Sequence, residues 1–178
     1  MKIIIILLTL FFVHCSKEVQ YTKQALAFEK ENKKTEAIYY YTLAFNENKN
    51  YTLANQRLGI LLSESVHSQD IALFHLRNAR ESDPGNLEIN LQYYDLLLIN
   101  NEIETVNLLN KEIRKQFDLE TYKFIDELTN CVYKKDKPEV FLKNKIEGIF
   151  KINLRKSIAV CLDIANLKDR KNEILESP

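Results

Sequence analysis

Tryptophan is absent from this 178-residue chain, and glycine and proline number three each. So few turn formers exclude a barrel or sandwich of many short strands and leave an all-α class as the natural reading. Three scattered glycines also cannot build a phosphate-binding loop or a dinucleotide fingerprint. An excess of charge of either sign is missing: 25 Lys and Arg stand against 25 Asp and Glu, so nucleic acid meets no general attraction. Histidine is as scarce as glycine. His67 and His75 lie without a cysteine or carboxylate set at metal-ligand spacing. His67-Ser68-Gln69-Asp70 reads as a polar turn and not as an acid–base cluster. No catalytic residue, metal or cofactor is expected, and the chain does not read as an enzyme.

What is present is a recurrence. Ala25 and Phe28 are followed by Gly59 and Leu62, then by Tyr94 and Leu97. Ala37, Tyr41 and Ala44 are followed by Ala72, Leu76 and Ala79, then by Val106, Asn110 and Ile113. The steps are 34 residues from Phe28 to Leu62, 35 from Ala37 to Ala72, and 34 from Ala72 to Val106. The extra residue falls in the polar stretch Ser63 to Gln69, where an insertion leaves packed faces in register. Self-similarity at this period marks a helical array in which each unit buries its apolar face against its neighbours. Small residues let two helices approach, and large ones between them fill the remaining space. An ordinary antiparallel bundle would share the small-and-large spacing but does not require the recurrence.

The pattern resembles the tetratricopeptide repeat (TPR), a 34-residue helix–turn–helix unit. Tyr21, Gln24-Ala25, Phe28, Ala37, Tyr41 and Ala44 match its first unit. Asn55, Leu58-Gly59, Leu62, Ala72, Leu76, Ala79 and Pro84 match a second, with Ser82 to Asn86 resembling the family's linker. A third is degenerate, with Tyr93-Tyr94, Leu97 and Val106 at the motif positions. The resemblance covers roughly residues 18–117 and implies an α-solenoid of about three TPR-like units. In that family the first helix of each unit lines a concave groove. Matching positions put Lys23, Leu26 and Lys30, then Gln56, Arg57 and Ile60, then Gln92, Asp95 and Ile99 on this face. Such a mixture suits a protein or peptide segment, though these can equally be simple exposed helix residues. The full Lys/Asn/Arg set that clamps a terminal carboxylate in some members is lacking.

Met1-Lys2, the apolar run Ile3 to Val13 and the abrupt polar switch after it have the layout of a secretory signal. As a helix the run would reach about 16 Å at ~1.5 Å per residue, against ~30 Å of bilayer hydrocarbon. Phe12-Val13-His14-Cys15 resembles a bacterial lipobox, with His14 where that family has Gly, Ala or Ser. The resemblance implies diacylglyceryl transfer to the Cys15 sulfur, cleavage before it, and acylation of the new amino terminus with a palmitate-type chain. More than one acyl chain is needed for stable anchoring. A leader cleaved conventionally, with Cys15 incidental, is the other reading. Loss of residues 1–14 removes Lys2 alone from the charge count, leaving 24 cations against 25 acids.

Helices are expected near 18–31, 34–47, 51–64, 70–82, 86–99 and 102–117, paired as three hairpins. Asp118 reads as the cap of a helix to about Lys135, with Leu119, Tyr122, Ile125, Leu128 and Val132 on one face. Pro138 suits the first position of the next helix, and Asn153 suits the cap of a last one bearing Leu154, Ile158, Cys161 and Ala165. Residues 118–178 fit no repeat and read as capping helices, giving a division into 1–14 signal peptide, 15–117 repeats and 118–178 cap. Cys131 and Cys161 either pair in an oxidising compartment or are small buried apolar residues. Residues 134–156 hold eight Lys or Arg against three acids, either a patch for anionic headgroups or a solvated face. The expected protein is thus a lipid-anchored scaffold or adaptor of the bacterial envelope, with an outer-membrane address and either leaflet open. An assembly factor of outer-membrane or secretion machinery and an accessory subunit of an envelope enzyme are the alternatives.

Overall fold

Alanine, tyrosine and leucine at helical spacing bury what the recurrence marks. Ala37, Tyr41, Ala44, Ala72, Leu76, Ala79, Val106 and Ile113 are all buried, and Asn110 is half-buried. These observations come from a computed structural model, which describes residues 16–115, 119–137 and 152–165. The expected leader, Cys15, Asp118, Pro138 and residues 138–151 of the basic stretch lie outside the described residues.

Every regular element among the described residues is helical: α1 (Lys17–Lys30), α2 (Lys34–Glu47), α3 (Thr52–Leu62), α4 (Gln69–Ser82), α5 (Leu87–Ile99), α6 (Ile103–Ile113), α7 (Leu119–Lys134) and α8 (Arg155–Ile164). The polar stretch after α3 holds a single 3-10 turn, Val66–Ser68, which absorbs the extra residue. Helix α6 stops at Ile113, short of the expected 117. No described helix is long and apolar enough to cross a membrane.

Asparagine takes over helix-ending work that glycine usually does. Asn32 and Asn101 adopt left-handed φ values of 57° and 60° just past α1 and α5. After Asn32, the Lys33 N–H donates to the Phe28 carbonyl at 2.9 Å, and Asn32 donates to Glu29 at 3.0 Å. After Asn101, Glu102 donates to Leu97 at 3.0 Å and Asn101 to Leu98 at 3.2 Å. Both are Schellman closures, in which the short amide side chain tolerates the left-handed residue. At the start of α5, the Asn86 side chain accepts from the Ile89 N–H at 3.2 Å, an N-cap.

Helices α1 and α2 pack as one antiparallel pair and α3 and α4 as another, while α2 meets α3 and α4 meets α5. Gly59 marks the closest approach of α3 and α4: a Cβ there would lie 2.5 Å from Leu76 Cγ and 3.2 Å from the Ala72 carbonyl oxygen. One core cluster centres on Ala25, Ala37, Tyr41, Ala44, Ala54 and Leu58. A larger one gathers α4 to α8 around α5, with Leu62 packed against both. Helix α5 is buried on nearly every side, from Ile89 to Leu98, so its sequence is apolar all round and not striped. Helices α4, α6, α7 and α8 all pack against it.

Four of the five residues expected on one face of α7 turn inward, Tyr122 among them half-buried. Ile125, Leu128 and Val132 are buried, whereas Leu119, the first residue of the helix, is 66% exposed. Cys131 and Cys161 are bonded, with Cα atoms 5.6 Å apart, stapling α7 to α8. Helix α8 does not simply extend the row of helices; it lies back against α5.

Candidate functional site

A cleft of about 580 Å³ lies between α3, α5 and the start of α8. Of the residues matched to a concave face, Arg57, Ile60, Gln92 and Asp95 line it. Gln56 joins them by hydrogen bonding, its Nε2 donating to Gln92 Oε1 at 3.0 Å and to Glu88 Oε1 at 3.3 Å. Lys23 and Lys30 stay exposed on α1, Leu26 packs half-buried against the first core cluster, and Ile99 is half-buried at the end of α5. These four are not brought to the cleft.

Helix α8 closes one side. Its N-terminal N–H groups need acceptors, like those of any helix, and they find them on α5. The Ser157 N–H donates to Asp95 Oδ1 at 2.8 Å and the Lys156 N–H to Asp95 Oδ2 at 3.2 Å. The Ser157 hydroxyl donates to the Asp95 backbone carbonyl at 3.3 Å. Asp95 thus serves as an N-cap supplied by a different helix, with the carboxylate sign that suits a helix start. Asn153, expected to cap α8 itself, precedes the true cap position at Leu154, and its side-chain oxygen accepts from Gln92 Nε2 at 2.8 Å. The Lys156 ammonium reaches α3, donating to Ser63 Oγ at 2.8 Å and also to the Ser63 carbonyl.

Electrostatics follow from this burial. Asp95 is 6% exposed. Loss of water pushes its carboxyl up to about 6, against the lowering effect of the Ser157 and Lys156 hydrogen bonds. Burial pushes the Lys156 ammonium down, with Asp95 and Glu64 opposing. Arg57, Arg155 and Lys156 face Glu64, Glu88 and Asp95 around the cleft, so cations and anions balance, while Ile60, Leu96, Ile152 and Ala159 supply apolar surface. Arg57 lies 3.9 Å from Glu29 of α1, and Glu29 also accepts from the Tyr41 hydroxyl of α2. The near wall is therefore tied to both helices of the first pair.

The histidines have structural company. His75 is buried and its Nδ1 donates to Asn55 Oδ1 at 3.0 Å. Asn55 Nδ2 in turn donates to the Lys49 and Tyr51 carbonyls at 2.7 and 3.1 Å, fastening the loop before α3. Burial, with Lys49 nearby, pushes the His75 imidazole down to about 4. No group of three or more His, Cys, Asp or Glu among the described residues could hold a metal ion.

Sequence reasoning missed Ser63, Glu64, Glu88 and the α8 residues Arg155, Lys156 and Ala159. A signal was available: from Leu91 to Ile99 the only residues of α5 that are neither aliphatic nor tyrosine are Gln92 and Asp95, about one turn apart, and buried polar groups require partners. It could not name α8, which lies 61 residues beyond Asp95. No protein-family model, no curated protein and no solved structure matches this chain.

Proposed function

We propose that this chain is a lipid-anchored scaffold of a bacterial envelope, with an outer-membrane address, that takes up a protein segment in the cleft between α3, α5 and α8. In this reading α1 to α6 are about three TPR-like hairpins of an α-solenoid, and α7 and α8 are its cap. The observation that carries it is the convergence of Arg57, Ile60, Gln92 and Asp95 on one open cleft. These residues occupy matching places in successive first helices of the hairpins. Balanced charge over an apolar floor suits an amphipathic or extended peptide, whose backbone amides can meet Gln56 and Gln92 while one apolar side chain rests on Ile60.

A photocrosslinking residue at position 60 tests this directly. In membranes it should yield one discrete protein adduct, lost when Arg57→Glu is added, while the same probe at exposed Val66 yields none. Equal labelling from both positions, or an adduct indifferent to Arg57→Glu, refutes the cleft. The anchor has its own test: Cys15→Ala should move the protein from the membrane to the soluble fraction, and retention overturns lipidation.

A further inference from the structure

We propose that one end of the helical domain, the end formed by the start of α1 and the α2–α3 and α4–α5 loops, is a contact surface for lipid headgroups. The proposal rests on the Cys15 anchor above and adds an orientation to it.

The tether has no spacer. Ser16 is the N-cap of α1 and Lys17 its first helical residue. Cys15 is bonded directly to Ser16, so their Cα atoms are ~3.8 Å apart. An acyl-bearing Cys15 therefore places the first turn of α1 at the headgroup layer, with no free chain to let the domain drift away. Other helix ends share that side. Lys17 lies 3.8 Å from Glu47 at the end of α2. Asn50 and Thr52 share a polar recess of about 430 Å³ with Asn78, Glu81 and Ser82 at the end of α4. The Asn90 side chain on α5 donates to the Pro84 carbonyl at 3.0 Å.

The opposite end is equally well defined. Lys34 at the start of α2 meets Glu64 just past α3 at 2.6 Å. A 14-residue helix such as α2 separates the two ends by roughly 21 Å at ~1.5 Å per residue. The cleft runs from Glu88 in the first turn of α5, on the near side, to Ser63 and Glu64 at the far end.

Charge shows what holds the contact. At the near end Lys17, Lys49 and Arg80, with Lys111, Arg114 and Lys115 at the end of α6 that Arg80 meets through Glu112, stand among Glu18, Glu47, Glu81, Asp83 and Glu112, six cations against five anions and so nearly balanced. Such a surface is not drawn to an anionic membrane, which attracts basic clusters. The acyl chains must therefore seat it, and the exposed amides Asn46 and Asn50 can donate to headgroup phosphates.

The test uses the full lipidated chain in phosphatidylethanolamine–phosphatidylglycerol vesicles containing a headgroup nitroxide lipid. A fluorophore is placed at Gly85→Cys, where a Cβ meets nothing within 4 Å, or at the exposed far-end Ser65→Cys. Gly85 fluorescence should be quenched several-fold more strongly than Ser65 fluorescence. Six Gly/Ser residues inserted between Cys15 and Ser16 should bring the two toward equality. Flotation of the protein with equal quenching at both sites, or stronger quenching at Ser65, overturns the orientation while leaving the anchor standing. Failure to float with the vesicles overturns the anchor, and the orientation with it.

Discussion

Replacing Gly59 with alanine sets two effects of opposite sign against each other. In the interior of α3, glycine costs about 1 kcal/mol relative to alanine in helix propensity, so an exposed Gly59 would make the substitution stabilising. The new methyl, however, would lie 2.5 Å from Leu76 Cγ, 2.9 Å from Leu76 Cδ2 and 3.2 Å from the Ala72 carbonyl oxygen. The first two contacts require Leu76 to leave a buried position, and the third is backbone that cannot rotate aside. Overpacking of this kind costs about 1–3 kcal/mol. Set against the gain in propensity, the collision leaves a net loss of up to about 2 kcal/mol in urea unfolding followed by circular dichroism. At this chain length that corresponds to a fall in Tm of roughly 2–4 °C per kcal/mol. In a Leu76→Ala background the two shortest contacts are gone and only the Ala72 oxygen at 3.2 Å remains, so most of the loss should be recovered, giving a coupling of about 1–3 kcal/mol in the double-mutant cycle. A rise in Tm for Gly59→Ala alone would refute the close crossing of α3 and α4.

The remaining predictions concern the α8 side. Asp95 has its carboxyl raised to about 6 from an ordinary 3.8, so its contribution to stability is full below about pH 4 and lost as pH rises through 6. The stability gap between the natural protein and Asp95→Ala should therefore shrink by about 3 kcal/mol from pH 4 to pH 7, at ~1.4 kcal/mol per pKa unit. A gap that widens toward pH 7 would refute the reading that burial of the carboxyl outweighs the Ser157 and Lys156 bonds it accepts. His75 titrates with the opposite sign: its neutral form's contribution is full above about pH 6.5 and lost toward pH 4, and in this comparison it cancels. Opening the Cys131–Cys161 bond, which closes a 30-residue separation, should cost about 3–4 kcal/mol. Unfolding of Cys131→Ser/Cys161→Ser measures the loss, and an unchanged midpoint would argue against the staple. Tyr94→Phe removes a hydroxyl that bonds Asn110 at 2.7 Å and Thr129 at 2.6 Å. It should cost about 1–3 kcal/mol in urea unfolding, and an unchanged midpoint would argue against these two bonds.

The helices were legible because their apolar residues are local in sequence. Ala37, Tyr41 and Ala44 recur as Ala72, Leu76 and Ala79, and that repetition located α2 and α4 almost to the residue. The helix ends were harder. Asn32 and Asn101 adopt the left-handed conformation without being glycine, so the composition concealed two Schellman closures. Of the nine positions matched to a concave face, Arg57, Ile60, Gln92 and Asp95 line the cleft on α3 and α5, whereas Lys23, Leu26, Lys30 and Ile99 do not reach it. The α8 wall was not legible, because a contact between Asp95 and Ser157 leaves no periodic trace in the sequence. For the same reason Asn153 read as a cap: local reasoning assigns a helix start to its nearest Asn, whereas the acceptor came from α5.

The bonds that seat α8 join residues 61, 62 and 93 positions apart. Loop closure over such spans comes late and slowly relative to the neighbouring hairpins. A chain still emerging from the ribosome can assemble α1 with α2 and α3 with α4, yet the cleft has no α8 wall until residues 152–165 arrive. A product ending before residue 152 would therefore be helical but would lack the α8 wall of the cleft.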